Sequence, residues 1–248
     1  MRRDWVMGMV VGVLLIVPAV GRAQPKPPMV TEGKPAEGAA ELAYVATGGN
    51  STTQTIGVSG DLALRPPLLI VETKLAFLRQ TADGETQAKS FNWLLRGSRR
   101  FRERYWGFGQ YDYLRNLFAG VEHRHGAEAG ISCQVIEGDR HRLVLDGGLG
   151  YARELRVAAE NRTSATAAAG ANYKLKVSGT TDLINELRAV QSLDEVPDWR
   201  ANNQLSLATK INAILSLKVS HTLRYVNDPV PGFERRDTIA RMGVVAKF

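Results

Sequence analysis

A period of two, held over long runs, constrains this chain more than any other feature. Ile56, Val58, Gly60, Leu62 and Leu64 alternate with Thr55, Gly57, Ser59, Asp61 and Ala63. Leu143, Leu145, Gly147, Leu149 and Tyr151 alternate with Arg142, Val144, Asp146, Gly148 and Gly150, and Leu215, Leu217, Val219, His221, Leu223 and Tyr225 with Ser216, Lys218, Ser220, Thr222 and Arg224. Successive side chains of a strand point to opposite faces, so each run builds one apolar or aromatic face and one polar face. A soluble sandwich would bury the apolar face in strands of about 5 to 6 residues. A membrane barrel turns that face to lipid in segments of about 10 residues, and these runs have the second length.

The punctuation between runs predicts the topology. Short turns fall at Arg65-Pro66-Pro67, around Arg102-Glu103, at Glu137-Gly138-Asp139, at Ser178-Gly179-Thr180 and near Asn212-Ala213. Longer breaks fall at Gly48-Gly49-Asn50, Thr81-Ala82-Asp83-Gly84, Phe118-Ala119-Gly120, Ala158-Ala159-Glu160-Asn161, 193–198 and 227–234. The two kinds alternate, as short inner turns and longer outer loops do in an up-and-down barrel. The expectation is an all-β, transmembrane, antiparallel up-and-down β-barrel of about 12 strands.

Both ends fit that address. Residues 1–23 begin with Arg2 and Arg3, continue with an apolar run and finish on Gly21-Arg22-Ala23, which reads as a secretory signal cleaved near Ala23. Residues 24–39, rich in Pro, Gly and charge, read as a disordered linker, leaving 40–248 for the barrel. Past the signal no stretch of roughly 18 apolar residues occurs, so a membrane-embedded chain of this kind must close its sheet. The final residues RMGVVAKF place Arg241, Gly243, Ala246 and Phe248 at the spacing of the outer-membrane assembly signal, which predicts that the barrel assembly machinery is a partner. A formal charge of +7 suits anionic surfaces. For an exported chain those are outer-membrane lipid and lipopolysaccharide rather than nucleic acid.

With the strands laid out, the chain resembles the family of salt-induced outer-membrane proteins. The resemblance runs over roughly 41–248 and is carried by GGNSTTQT, YWGFGQYDYLRNLF followed by GVEHR, LDGGLGYARE, the RANNQLSLATKINAILSLKVSHTLRYVNDPVPG run and DTIARMGVVAKF. It implies an outer-membrane barrel linked to salt or osmotic stress, and it brings no catalytic residues with it.

Nothing in the sequence assembles a catalytic or metal centre. Outer-membrane lipases place His and Ser two apart on one strand face. Here His123, His125, His141 and His221 are followed two positions on by His125, Gly126, Leu143 and Leu223. The expectation is therefore no enzyme, no metal and no cofactor. His123 and His125 share a face and are read as residues of the interfacial zone. Cys133, the only cysteine, is read as a small lipid-facing side chain between Ile131 and Val135. Phe91, Trp93, Tyr105, Tyr111 and Tyr113 read as girdle aromatics.

The inward face carries the remaining signal. Alternation places Glu72, Lys74, Arg96, Arg100, Asp112, Arg124, Glu128, Arg142 and Asp146 in the lumen, with Glu72 expected to pair with Lys74 or Arg96 and Asp146 with Arg124 or Arg142. Extended to all runs, the count is about fourteen Lys and Arg against seven Asp and Glu. Such a lumen predicts a narrow, weakly anion-preferring passive pore or an envelope-integrity protein. The alternatives are a closed structural or interaction barrel acting through its outer loops and, third, a lipid-acting enzyme.

Overall fold

A sheet edge leaves backbone N–H and C=O groups without partners, and this chain removes both edges by pairing its last strand with its first. The computed structural model describes residues 35–47, 53–82, 85–157 and 159–247. Within them lie twelve strands: β1 (Ala36–Thr47), β2 (Thr53–Leu64), β3 (Ile70–Ala82), β4 (Glu85–Arg102), β5 (Tyr105–Asn116), β6 (Val121–Glu137), β7 (His141–Arg156), β8 (Arg162–Lys176), β9 (Thr181–Ser192), β10 (Trp199–Lys210), β11 (Leu215–Val226) and β12 (Arg236–Lys247). Each pairs antiparallel with its sequence neighbours, and β1 pairs with β12. The result is the closed up-and-down barrel that the alternation predicts. No helix among the described residues is long and apolar enough to cross a membrane. The expected signal and most of the expected linker lie outside the described residues, as do the loop expected at Gly48-Gly49-Asn50 and the terminal Phe248.

Two boundaries differ from expectation. β1 starts at Ala36, inside the segment read as linker, with Ala36 opposite Leu64 and Gly38 opposite Leu62. Ala and Gly in Ala36–Ala40 present almost no apolar face, so backbone pairing holds this stretch where hydrophobic periodicity gave no sign of it. The break expected at Thr81-Ala82-Asp83-Gly84 is also shorter than predicted. β3 continues to Ala82 and β4 resumes at Glu85, with a register shift between Gln80 and Thr81.

The outward face is a band of exposed apolar side chains that includes Leu42, Val58, Leu75, Phe77, Ile131, Leu145, Leu149, Leu205, Leu217, Val219 and Val244. Rings flank it at both ends. Near the long loops Phe91 packs on Tyr113, Trp93 on Tyr111, and Trp199 on Tyr225. Near the short turns Phe101 meets Tyr105 and His141 meets Tyr173. An apolar band between two aromatic belts is the pattern that fits a bilayer with its two interfaces. Cys133 stands on this face opposite Tyr105 and Leu145.

Glycines thin the inner wall where bulky groups must cross it. Gly130 and Gly148 stand opposite each other on β6 and β7. A Cβ on Gly130 would collide with the Gly147 carbonyl oxygen, the Gly148 Cα and the Phe108 ring. Asp112 lies over Gly126 in the same way.

At the long-loop end, one side chain reaches both the loop at 193–198 and the loop at 227–235. The Arg162 guanidinium meets Glu195 at 3.0 Å, Asp198 at 3.2 Å and Asp228 at 2.7 Å. Asn227 adds a backbone bond to the Trp199 carbonyl (3.0 Å) and a side-chain bond to that of Pro197 (2.9 Å). Arg162→Ala is expected to loosen both loops while leaving the strands intact, because the pairs with half-exposed Glu195 and Asp228 stabilise by about 0–1 kcal/mol each and buried Asp198 keeps Arg200. Hydrogen exchange should quicken by roughly tenfold in those loops and stay unchanged in β8. Equal protection in both proteins would contradict the clamp.

Candidate functional site

The polar face of every strand turns inward, and several of its charges reach each other across the barrel. Lys74 on β3 donates to Glu186 on β9 at 3.3 Å, although β9 is six strands from β3 in a ring of twelve. The pair therefore crosses the lumen from one side to the opposite one. Asn172 and Gln204 also donate to Glu186, each at 3.3 Å. Arg188, two residues along β9, pairs with Glu128 on β6, which accepts from Gln110 at 3.3 Å as well.

A second cluster hangs on Arg96 of β4. Its guanidinium donates to Gln110 (3.2 Å), Ser132 (2.6 Å) and Asp146 (3.0 Å) and lies 3.8 Å over the Phe108 ring. Further round, Lys218 meets Glu41 at 2.7 Å and Arg241 donates to Gln204 at 3.2 Å. Towards the long loops, buried Glu154 holds Arg156 at 2.6 Å and Arg200 at 2.9 Å.

These side chains cross the lumen without filling it. The Lys74 and Glu186 side chains remain 48% and 37% exposed to solvent. The pair that crosses the lumen is therefore not tightly packed by its neighbours. At the short-turn end the lumen opens into a cavity of about 290 Å³ whose lining includes Arg140, Arg142, Lys174, Lys176 and Lys210 with Asp139 and Asp182. Lys174 is held by Asp182 at 2.9 Å. Five cationic side chains against two carboxylates make this mouth attractive to anions.

The lumen residues read from the sequence can now be placed. Glu72 stands opposite Arg96, while Arg96 itself binds Asp146. Arg100 turns towards the short turn, where it donates to the carbonyls of Arg102 and Glu103 and lies over the Trp106 ring. Arg124 stands opposite Leu114 and Glu154, Asp112 opposite Leu94 and Gly126, and Arg142 lines the cavity at the mouth. The expected partners are corrected: Lys74 takes Glu186, and Asp146 takes Arg96, because the lumen is narrow enough for pairs to skip strands.

The sequence reading also passed over inward Glu41, Glu154, Arg156, Arg162 and Asp237. Continuing the alternation of β7 from Asp146 by even steps reaches Glu154 and Arg156, so that signal was available. With these added, the excess of cations is smaller than the sequence count gave. Of the terminal set, Arg241 faces inward, Gly243 packs against the Leu42 backbone and Ala246 stands opposite Ala40 and Leu215. The paired histidines are engaged through Nδ1, His123 with the Tyr113 hydroxyl and His125 with that of Tyr111, both at 2.7 Å.

A family model described as "Protein of unknown function, DUF481" matches residues 40–248. Among curated proteins none matches the sequence. Solved structures similar in fold include an outer membrane channel from Pseudomonas putida F1, at TM-score 0.52 and 12% identity over 90% of this chain and 100% of that one. The translocator domain of autotransporter NalP from Neisseria meningitidis follows at TM-score 0.49 and 14% identity, over 88% and 90%. The NanC porin gives 0.48 and 6%, over 84% and 97%. At these identities the likeness is one of fold, and the fold is that of outer-membrane barrels.

Proposed function

We propose, for a chain that belongs to the family described as Protein of unknown function, DUF481, that it is an outer-membrane barrel acting as a narrow, weakly anion-preferring passive pore. The short turns then face the periplasm and the long loops the cell exterior. The observation that carries this reading is the solvated Lys74–Glu186 pair spanning the lumen above a basic mouth. Small anions entering from the periplasmic side meet a concentrated field of Lys and Arg and then a constriction held by one exposed ion pair. Its setting in salt or osmotic stress is supported by the family resemblance alone.

Swelling of proteoliposomes containing the refolded barrel tests it. Influx of a small anion is expected to exceed that of a cation of equal size by about threefold, since the lumen field is modest. Equal or faster cation entry would overturn the anion preference. A second reading, an interaction barrel that works through its outer loops, is favoured by the Arg162 clamp, which fixes two of those loops on the rim.

A further inference from the structure

We infer that the outward face of β3 to β7, near the long loops, is a binding site for the phosphate groups of an anionic outer-leaflet lipid. The inference rests on the outer-membrane reading above. Its basis is an uneven distribution of outward cations. Arg79 on β3 stands opposite Lys89 on β4, and Phe91, two residues further along, stands opposite Arg115 on β5. Tyr113, next to Arg115 on the same face, stands opposite His125 on β6, which stands opposite Arg153 on β7. Arg79, Lys89, Arg115, His125 and Arg153 are all exposed. Neighbouring strands lie about 4.8 Å apart, so the five form one continuous patch across five strands. At the same end of β8, β9 and β10 the outward positions are Thr163, Ala165, Gln191 and Ala201, which carry no charge.

Two further features make the patch a site rather than scattered surface charge. Among the described residues, Lys89, Arg115 and Arg153 belong to no ion pair, whereas Lys74, Arg96, Lys174, Arg188, Arg200 and Lys218 of the lumen each do. Glu122, an exposed acid three residues before His125, sits in the bulge between Val121 and His123 and pairs with none of Lys89, Arg115 and Arg153. The patch also lies at and just beyond the belt formed by Phe91, Trp93, Tyr111 and Tyr113. Rings of this kind settle at the boundary between acyl chains and headgroups. The guanidinium and ammonium groups beside them therefore sit at headgroup depth, where Arg and Lys donate charge-assisted hydrogen bonds to phosphate oxygens. The field of the patch is positive and the groups at that depth that complement it are anionic.

The test uses the full folded barrel in detergent micelles and native mass spectrometry, with lipid A and its dephosphorylated form as probes. The wild type is expected to retain lipid A about tenfold more strongly than the dephosphorylated lipid. The triple variant Lys89→Gln, Arg115→Gln, Arg153→Gln should lose that preference while keeping its conductance, because none of the three faces the lumen. Arg99→Gln, an outward cation near the short turns, should keep the preference, as should Arg115→Lys with Arg153→Lys. Heat-modifiable gel mobility reports folding, and if the triple variant does not fold, Arg115→Gln alone is expected to weaken retention about threefold. Equal retention of both lipids, an unaffected folded variant, or an equal loss in Arg99→Gln would overturn the inference. A barrel that folds and conducts without phosphate preference overturns this site alone. A chain that does not enter lipid vesicles overturns the location with it.

Discussion

Replacing Glu186 by alanine is expected to raise the single-channel conductance about twofold or more and to shift selectivity further towards anions. Glu186 is the acceptor that draws Lys74, Asn172 and Gln204 to the centre of the lumen. Without its carboxylate the crossing is broken, the free width increases, and Lys74 falls back towards Asp61 on the neighbouring strand. Lys74→Ala is the informative partner. It should widen the lumen to a similar degree while reducing anion preference, because the acid is then the charge left behind. Neither change should unfold the barrel, since an ion pair this exposed stabilises by about 0–1 kcal/mol. Unchanged conductance in both variants, with folding verified by heat-modifiable mobility, would show that the current passes elsewhere or not at all.

Gly130→Val is expected to prevent formation of the native barrel. Overpacking at a site free to relax costs about 1–3 kcal/mol, but the atoms around Gly130 have little freedom. Its missing Cβ faces the Gly147 carbonyl oxygen and the Gly148 Cα of the next strand, and the Phe108 ring fixed beneath Arg96. The backbone cannot withdraw without breaking the β6–β7 ladder, and the ring cannot withdraw without uncoupling Arg96 from Asp146. Gly179→Val makes a fair comparison, because no atom lies within 4 Å of its projected Cβ. That turn variant should fold like the wild type, and the Gly130 variant should show no heat-modifiable band. Equal folding of the two would mean that the inner wall yields more easily than its contacts imply.

How far the sequence foretold this molecule depended on the physical signal at each position. Strands such as β2, β7 and β11 were legible because a face exposed to lipid demands unbroken apolar alternation, and the closed barrel follows from their number and antiparallel order. Faces were legible for the same reason, since a one-residue error would turn Lys74 or Arg96 into lipid. β1 was hidden at Ala36–Ala40, where small residues carry no period. The inward rings Trp106 and Phe108 were hidden by their neighbours, because YWGFGQYDY sets aromatics on both faces and parity alone cannot rank them. Register shifts at Arg100/Arg102, Leu114/Asn116, Val121/His123 and Gln134/Ile136 also interrupt the alternation on β4 to β6.

Pairing across the lumen was the least legible part. Local rules link charges on adjacent strands, so they offered Arg96 or Lys74 to Glu72, and Arg124 or Arg142 to Asp146. The contacts of Lys74 with Glu186 and of Arg96 with Asp146 depend on the diameter of the barrel and on which glycines thin its wall, and neither quantity is local in sequence. The outward cation patch was missed for a different reason. Arg79, Lys89, Arg115 and Arg153 are scattered over 75 positions of chain and become one surface only when the register is known.

The proposed pore conducts small anions through the lumen past a solvated ion pair. The reversal potential of single channels, measured with the purified, refolded barrel in a planar bilayer under a salt gradient, tests it most directly. Small steady openings with a reversal potential displaced towards the anion equilibrium value are predicted. A displacement towards the cation value, or silence from a barrel whose folding is verified by heat-modifiable mobility, would contradict it.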